Sequence, residues 1–443
     1  MNKQVCLWIL LWSVLFITAC EKKQSTINYP RIFRAWSGIE NNPPVEDVQN
    51  YAKHGLCFGS ISALLKLRWQ QDSGNIYEGM STQISPEGLP AATARKAEML
   101  KLNPDILLIG VIGYRDGYYG TAKSTRTPQF PPDSPFWLRD KNGEVVVGWA
   151  EDTNVDGVID RKDDTPWVLV DFTNEKLQDI LAAKASAMEN TGLIDGIFLD
   201  WWKESHATSD NILEPGWTTV LSREVELNAR INILKKMRAK VGDDFLILVN
   251  SNYDTIPLSA PYVNGVFMEC YKNADKAYTQ EQIKKMEKTL LWSEMNLKEP
   301  RINCLEGWRV VYNYNDDPAT RISERNSEEN KQCMRMVTTM SLTHSDGYVL
   351  FGDPNQLPCS DHIHSWYDFW DAKLGKPISG KASNYNNIKG LFVREFENGW
   401  AVYNNSGSGQ SITLPRSTTG VNSKKTELTH TVPDLDGEIF LRQ

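Results

Sequence analysis

Three times in this chain an Asx-Gly turn opens a short apolar run, and twice that run closes on an acid four residues after the glycine. The segments are Asp195-Gly196-Ile197-Phe198-Leu199-Asp200, Asn264-Gly265-Val266-Phe267-Met268-Glu269 and Asp346-Gly347-Tyr348-Val349-Leu350-Phe351. The third reaches its acid, Asp353, two residues later. Runs this short and this apolar fit strands of a parallel sheet covered on both faces. Side chains alternate along a strand, so matching offsets in successive strands point the same way. Asp200 and Glu269 are therefore expected on one side of the sheet at similar height. A carboxylate just past the C-terminal end of a strand lies where barrel enzymes hold their chemistry. Two converging carboxylates are what glycosidic cleavage needs, one as acid and one as nucleophile or base. The competing assignment for Asp200 is a helix N-cap, with Trp201 and Trp202 packed into the core.

Strand-like and helical runs alternate from residue 31 to about residue 353. Strands are predicted over 31–36, 55–60, 105–114, 196–200, 245–250, 263–269, 301–306 and 347–351. Helices are predicted over 91–102, 174–190, 223–241, 280–295 and 328–343, where apolar residues recur at three and four positions. Eight strand–helix units predict a closed (β/α)8 TIM barrel, an α/β fold. The open doubly wound sheet has no GxGxxG or Walker loop to support it. Residues 117–173 are too long for an ordinary βα loop and are read as an insertion after strand 3. Its Asp140-Lys141-Asn142-Gly143 turn predicts a hairpin, and Trp137, Trp149 and Trp167 could line a cleft or pack the insertion down. Beyond residue 385 short alternating runs predict a small all-β C-terminal domain, read chiefly as a cover for the barrel. The organisation expected is a signal peptide 1–19, a tether 20–30, the barrel 31–384 and the β domain 385–443.

Within the insertion, Asp152-Thr153-Asn154-Val155-Asp156-Gly157-Val158-Ile159-Asp160-Arg161-Lys162-Asp163 has the pattern of a twelve-residue calcium loop. Oxygen ligands are expected from Asp152, Asn154, Asp156, the Val158 carbonyl, Asp160 and Asp163. The short acid at position twelve resembles dockerin modules rather than EF-hands. A structural Ca2+ is thus expected, and no organic cofactor. At the N-terminus, Lys3, an apolar run from Val5 to Ile17 and then Ile17-Thr18-Ala19-Cys20 resemble the signal and lipobox of bacterial lipoproteins. The resemblance implies lipidation at Cys20 and a cell-envelope location, with Glu21 favouring the outer membrane. With Cys6 in the signal and Cys20 lipidated, five of the seven cysteines are left, and a Cys333–Cys359 disulfide is one pairing open to them. A net charge of −8, with no Lys/Arg-rich patch, argues against nucleic acid. A monomer acting on carbohydrate is expected.

Strand order, the Asp-Gly-Ile-Phe-Leu-Asp signature, the acid closing strand six and the small β domain together resemble the glycoside hydrolase-like barrel families. The nearest is the hypothetical family numbered fifteen in that series, with a more distant likeness to polygalactosaminidase-type barrels. The resemblance implies a (β/α)8 fold and hydrolysis of a glycosidic bond, with acids at the ends of strands four and six. Those positions are Asp200 and Glu269. Asp200 is expected as nucleophile or base and Glu269 as general acid, because Glu269 follows Val266-Phe267-Met268 and the drier carboxyl keeps its proton. Glu306, before Gly307-Trp308, is the rival for the second role. Asn250 and Asn252 can bond sugar hydroxyls, and Trp201, Trp202, Tyr271 and Trp308 are candidate subsite walls. Arg34 and Asp116, near the ends of strands one and three, complete the candidates. Two other readings are a glycan-binding lipoprotein without hydrolysis, and a structural envelope protein whose barrel face docks a partner.

Overall fold

A computed structural model describes residues 27–40, 47–72, 74–120, 126–151, 157–160, 165–271, 278–309, 317–352 and 362–443. Its centre is an eight-stranded parallel sheet in chain order. The strands are β1 (Phe33–Ala35), β2 (Leu56–Gly59), β3 (Leu107–Val111), β4 (Gly196–Leu199), β5 (Leu246–Asn250), β6 (Gly265–Glu269), β7 (Cys304–Trp308) and β8 (Tyr348–Gly352). A parallel bridge from Ile32 to Val349 closes β8 onto β1, making the predicted barrel. Helices Leu89–Leu102, Glu175–Asn190, Arg223–Arg238, Gln280–Asn296 and Glu328–His344 surround it. Their starts are capped as helix physics asks: Ser222 accepts from Val225 N–H, and Thr279 with Gln282 forms a capping box.

The repeated Asx-Gly turns have a structural cause at the N-terminal end of the barrel. A Cβ on Gly196, Gly265 or Gly347 would collide with the backbone carbonyl of Leu246, Ile302 or Asn303, on or just before a neighbouring strand. The Asx side chains then tie neighbouring strands together. Asp195 accepts from Leu108 N–H at 2.8 Å and Lys96 Nζ at 2.9 Å, and Asn264 accepts from Ile247 N–H at 3.0 Å. Glycine permits the close approach, and the Asx satisfies a donor that would otherwise be buried unpaired. The start of each motif therefore serves the fold, and only its end reaches the open rim.

Inside the barrel, Phe33, Phe58, Phe198 and Phe267 form an aromatic plug, with centroids 4.5 to 6.0 Å apart. Trp36 lies edge-on over this plug, 4.9 Å from Phe58 and 5.3 Å from Phe198. Period two then sends Asp200, Asn250, Glu269 and Glu306 into the mouth above it.

The insertion after β3 is a three-stranded antiparallel sheet of Asp116–Tyr118, Thr165–Leu169 and Val147–Glu151, in that spatial order. The expected hairpin is present: Gly143 N–H bonds Asp140 O at 3.0 Å with Gly143 at φ +82°. Trp137 is buried against Phe130 and Tyr119, so it packs the insertion rather than facing a cleft. In the calcium-type loop, Asp152, Asn154, Asp156 and Asp163 lie outside the described residues, as do Cys20, Cys359 and the whole N-terminal signal. No helix among the described residues is long and apolar enough to cross a membrane.

Five antiparallel strands, β9 (Leu391–Phe396), β10 (Gly399–Asn404), β11 (Gln410–Gly420), β12 (Thr426–Val432) and β13 (Asp436–Arg442), form the C-terminal domain. It packs on Glu328–His344, whose residues are buried on nearly every side because the helix lies between barrel and sheet. Arg335 bonds Asp436 through Nε at 2.9 Å and Nη2 at 2.8 Å, a bidentate pair across that contact.

Candidate active site

Four residues of the C-terminal rim have left-handed backbone. Trp36, Trp201, Asn252 and His362 follow β1, β4, β5 and β8, and all have φ between +43° and +61°. Non-glycine residues adopt this conformation at a cost and tend to do so where a side chain must be aimed.

After β4 the chain turns at Trp201 (φ +53°), whose N–H donates to Asp200 Oδ1 at 2.9 Å. The turn is held from behind. Tyr114 OH donates to Trp201 O at 2.9 Å and accepts from Arg230 Nε at 3.0 Å, and Arg230 pairs with Glu226 at 2.8 Å in complete burial. Trp201 is 46 % exposed and stacks beneath Arg115, whose guanidinium lies 4.4 Å from the ring. Arg115 also bonds Asp116 at 2.9 Å, which links the insertion to this rim. Trp202 goes the other way. It is fully buried, with its indole N–H on Ser259 Oγ at 2.9 Å, so it is core and not a subsite wall.

Asn250, at the end of β5, joins the two acids. Its Nδ2 donates to Asp200 Oδ1 at 2.9 Å and to Glu269 Oε2 at 3.0 Å. Its Oδ1 accepts from Asn252 N–H at 3.0 Å, which fixes the amide's orientation. With one nitrogen 2.9 Å from one carboxylate oxygen and 3.0 Å from the other, the two oxygens are about 5.9 Å apart at most. Burial pushes Asp200 up to about 6, and the charge of Glu269 adds to the rise; the bonds from Asn250 and Trp201 N–H oppose it. The drier-carboxyl criterion that pointed to Glu269 in the sequence thus also marks Asp200.

Glu306 sits beside Glu269, its Cα partner across β6 and β7. It is fully buried, and its Oε2 is 2.8 Å from His362 Nδ1. His362 in turn stacks on Trp36 at 4.9 Å. Trp308 is also buried, 5.3 Å from His362, and offers no open face. Arg34 turns outward from β1 into the helical layer, bonding Asn50 Oδ1 at 2.9 Å and lying over Tyr51 at 3.8 Å. Neither Trp308 nor Arg34 reaches the cleft, contrary to the sequence expectation.

A cavity of about 370 Å3 opens beside the pair. Trp201, Lys203, Asn252, Tyr253, Glu269 and Tyr271 are among its lining residues. Tyr253 and Tyr271 stack at 4.1 Å and 11°, giving a flat wall. Trp36, Lys203, Tyr253 and His362 are the residues that sequence reasoning missed. Only Lys203, within Asp200-Trp201-Trp202-Lys203, carried a signal, through its closeness to the acid. Among the described residues no three His, Cys, Asp or Glu side chains converge as a metal site would need.

The family model of the hypothetical glycosyl hydrolase family 15 matches residues 101–400. The chain belongs to that family. A search of curated proteins returns no match. Among solved structures, an α-amylase from Malbranchea cinnamomea is 12 % identical, with 93 % of this chain and 96 % of that one covered and a TM-score of 0.47. An α-amylase from Geobacillus thermoleovorans complexed with acarbose is 11 % identical, with 93 % and 98 % covered and a TM-score of 0.44.

Proposed function

We propose that this member of hypothetical glycosyl hydrolase family 15 cleaves glycosidic bonds with retention, using Asp200 and Glu269. The observation that carries this is the shared Asn250 amide, which limits the two carboxylate oxygens to a gap of about 5.9 Å. Retaining enzymes hold their carboxyl groups roughly 5–5.5 Å apart and inverting ones roughly 6.5–9.5 Å, and a single amide bridging the nearest oxygens favours the shorter separation. Asp200 acts as nucleophile. It is short, it is gripped by Trp201 N–H and Asn250, and it attacks from one fixed direction. Glu269, on the longer side chain and lining the cavity, protonates the leaving oxygen and later activates water. Part of the rise in Asp200 comes from the charge of Glu269. When Glu269 holds the proton that part disappears, and Asp200 becomes ionised as its partner becomes an acid.

Trp201 presents an indole face to a sugar ring beside the nucleophile. Glu306, held by His362, sits beside Glu269 on the neighbouring strand. The Ca2+ proposed for the 152–163 loop is structural, and the lipid on Cys20 anchors the chain to the envelope; calcium titration against melting temperature and mass analysis of the membrane form test these two. The catalytic reading is tested by product release from a polysaccharide panel, comparing wild type with Asp200→Asn and Glu269→Gln. Release by wild type alone supports it. Equal release by a folded Asp200→Asn removes Asp200 from the chemistry.

A further inference from the structure

Three lysines among the described residues are more than nine-tenths buried: Lys96, Lys184 and Lys203. Two are bonded as burial requires. Lys96 Nζ contacts Asp195 at 2.9 Å and Leu193 O at 2.8 Å. Lys184 Nζ donates to Glu78 O at 2.8 Å and lies 3.7 Å from the Trp69 ring. Lys203 differs. It is 6 % exposed, and its carbonyl is held by Arg230 Nη1 at 2.9 Å, yet among the described residues its ammonium has neither a hydrogen bond nor an ion pair. It lines the cavity beside Glu269.

The carboxylates around it are engaged elsewhere. Asp200 and Glu269 share Asn250, and Asp254 pairs with Lys285 at 3.1 Å. They act on Lys203 only at a distance, and burial still pulls it down to about 8. Lys203 thus brings three donors to the lining of an open cavity, where a ligand can take them up. A hydroxyl would take a hydrogen bond but leave the charge balanced only by the more distant Asp254, Glu269 and Asp200. A carboxylate supplies both the bond and the counter-charge.

We propose that Lys203 recognises a carboxylate on the bound sugar, so that the substrate is a glycan containing uronic acid or another acidic sugar. The proposal rests on the glycosidase reading of the same cavity. Tyr253 and Tyr271 provide the stacking wall, and Asn252 adds a polar group to the lining of the same cavity. The repulsion between an acidic sugar and the pair is limited, because Glu269 as general acid is neutral when substrate binds.

The test is calorimetric titration of the full-length protein with glucuronate, galacturonate, glucose, galactose and glucosamine, which requires no turnover. At least one uronate should bind tenfold or more tighter than its neutral counterpart. Lys203→Met should reduce that affinity by roughly tenfold to a hundredfold, the usual range for a charged hydrogen bond, while Lys203→Arg retains part of it. Affinity should also fall as pH rises through about 8, where Lys203 loses its proton. Equal binding of neutral sugars, preference for the amino sugar, no binding at all, or an unchanged uronate affinity in folded Lys203→Met would each overturn the proposal. Hydrolysis of a neutral glycan that depends on Asp200 would overturn it while leaving the glycosidase reading intact.

Discussion

Asp200→Asn should make the protein more stable near neutral pH while abolishing its activity. An Asp ordinarily titrates near 3.8, and in this fold Asp200 is pushed up to about 6. The folded state therefore holds this proton more tightly than the unfolded chain does. Ionising Asp200 costs the fold nothing below about pH 4, progressively more as pH rises, and the full penalty above about pH 6. A shift of roughly two units corresponds to about 3 kcal/mol, and water entering through the cavity lowers this, so a gain of about 1–3 kcal/mol is expected. Asn keeps the size of the side chain and an acceptor for Trp201 N–H, and it removes the charge facing Glu269. With unfolding entropy near 2.1 cal/mol/K per residue, the melting temperature should rise by roughly 1–3 °C at pH 7.5. Melting curves of both proteins at about pH 4 and pH 7.5 measure this directly. The variant should match wild type at the lower pH and exceed it at the higher. A variant equal to or less stable than wild type at pH 7.5, or a gain of the same size at both pH values, would refute the reasoning.

Asn250→Ala removes a bond that holds Asp200 down, so the acidic limb of the kcat/KM profile should move to higher pH by roughly one unit, with kcat/KM about a hundredfold lower; an unmoved profile counts against the bridge. Glu306→Gln removes the charge from the buried contact to His362 and should cost about 1–3 kcal/mol in chemical denaturation while leaving activity within about tenfold of wild type. A well-folded Glu306→Gln without activity would bring Glu306 into the chemistry itself.

The barrel was legible because its strands are short, apolar and evenly interrupted by helices, and because the Asx-Gly starts repeat. Asp200 and Glu269 were legible for the same reason, since a matching offset from the glycine is a matching height on the sheet. What joins them was not. Asn250 reaches both acids only through the pairing of β4, β5 and β6, where Leu199 lies opposite Val249 and Asn250 opposite Phe267. Trp201 and Trp202 look alike in sequence, but one residue at φ +53° turns the first outward while the second enters the core. Arg34 sits at the right end of the right strand, but its parity points it into the helices. Lys203 and His362 belong to irregular segments, where no period fixes the direction of a side chain. Their roles depend on what surrounds them in space, such as the missing partner for Lys203 and the buried Glu306 beneath His362.

The central claim is that Asp200 attacks the anomeric carbon while Glu269 protonates the leaving group. The most direct measurement is to treat the active enzyme with a fluorosugar bearing a good leaving group, matched to the substrate the panel identifies, and to map the adduct by peptide mass spectrometry. The account predicts one glycosyl adduct on Asp200, lost in Asp200→Asn. An adduct on Glu269, or hydrolysis that proceeds with inversion and traps no adduct, would contradict it.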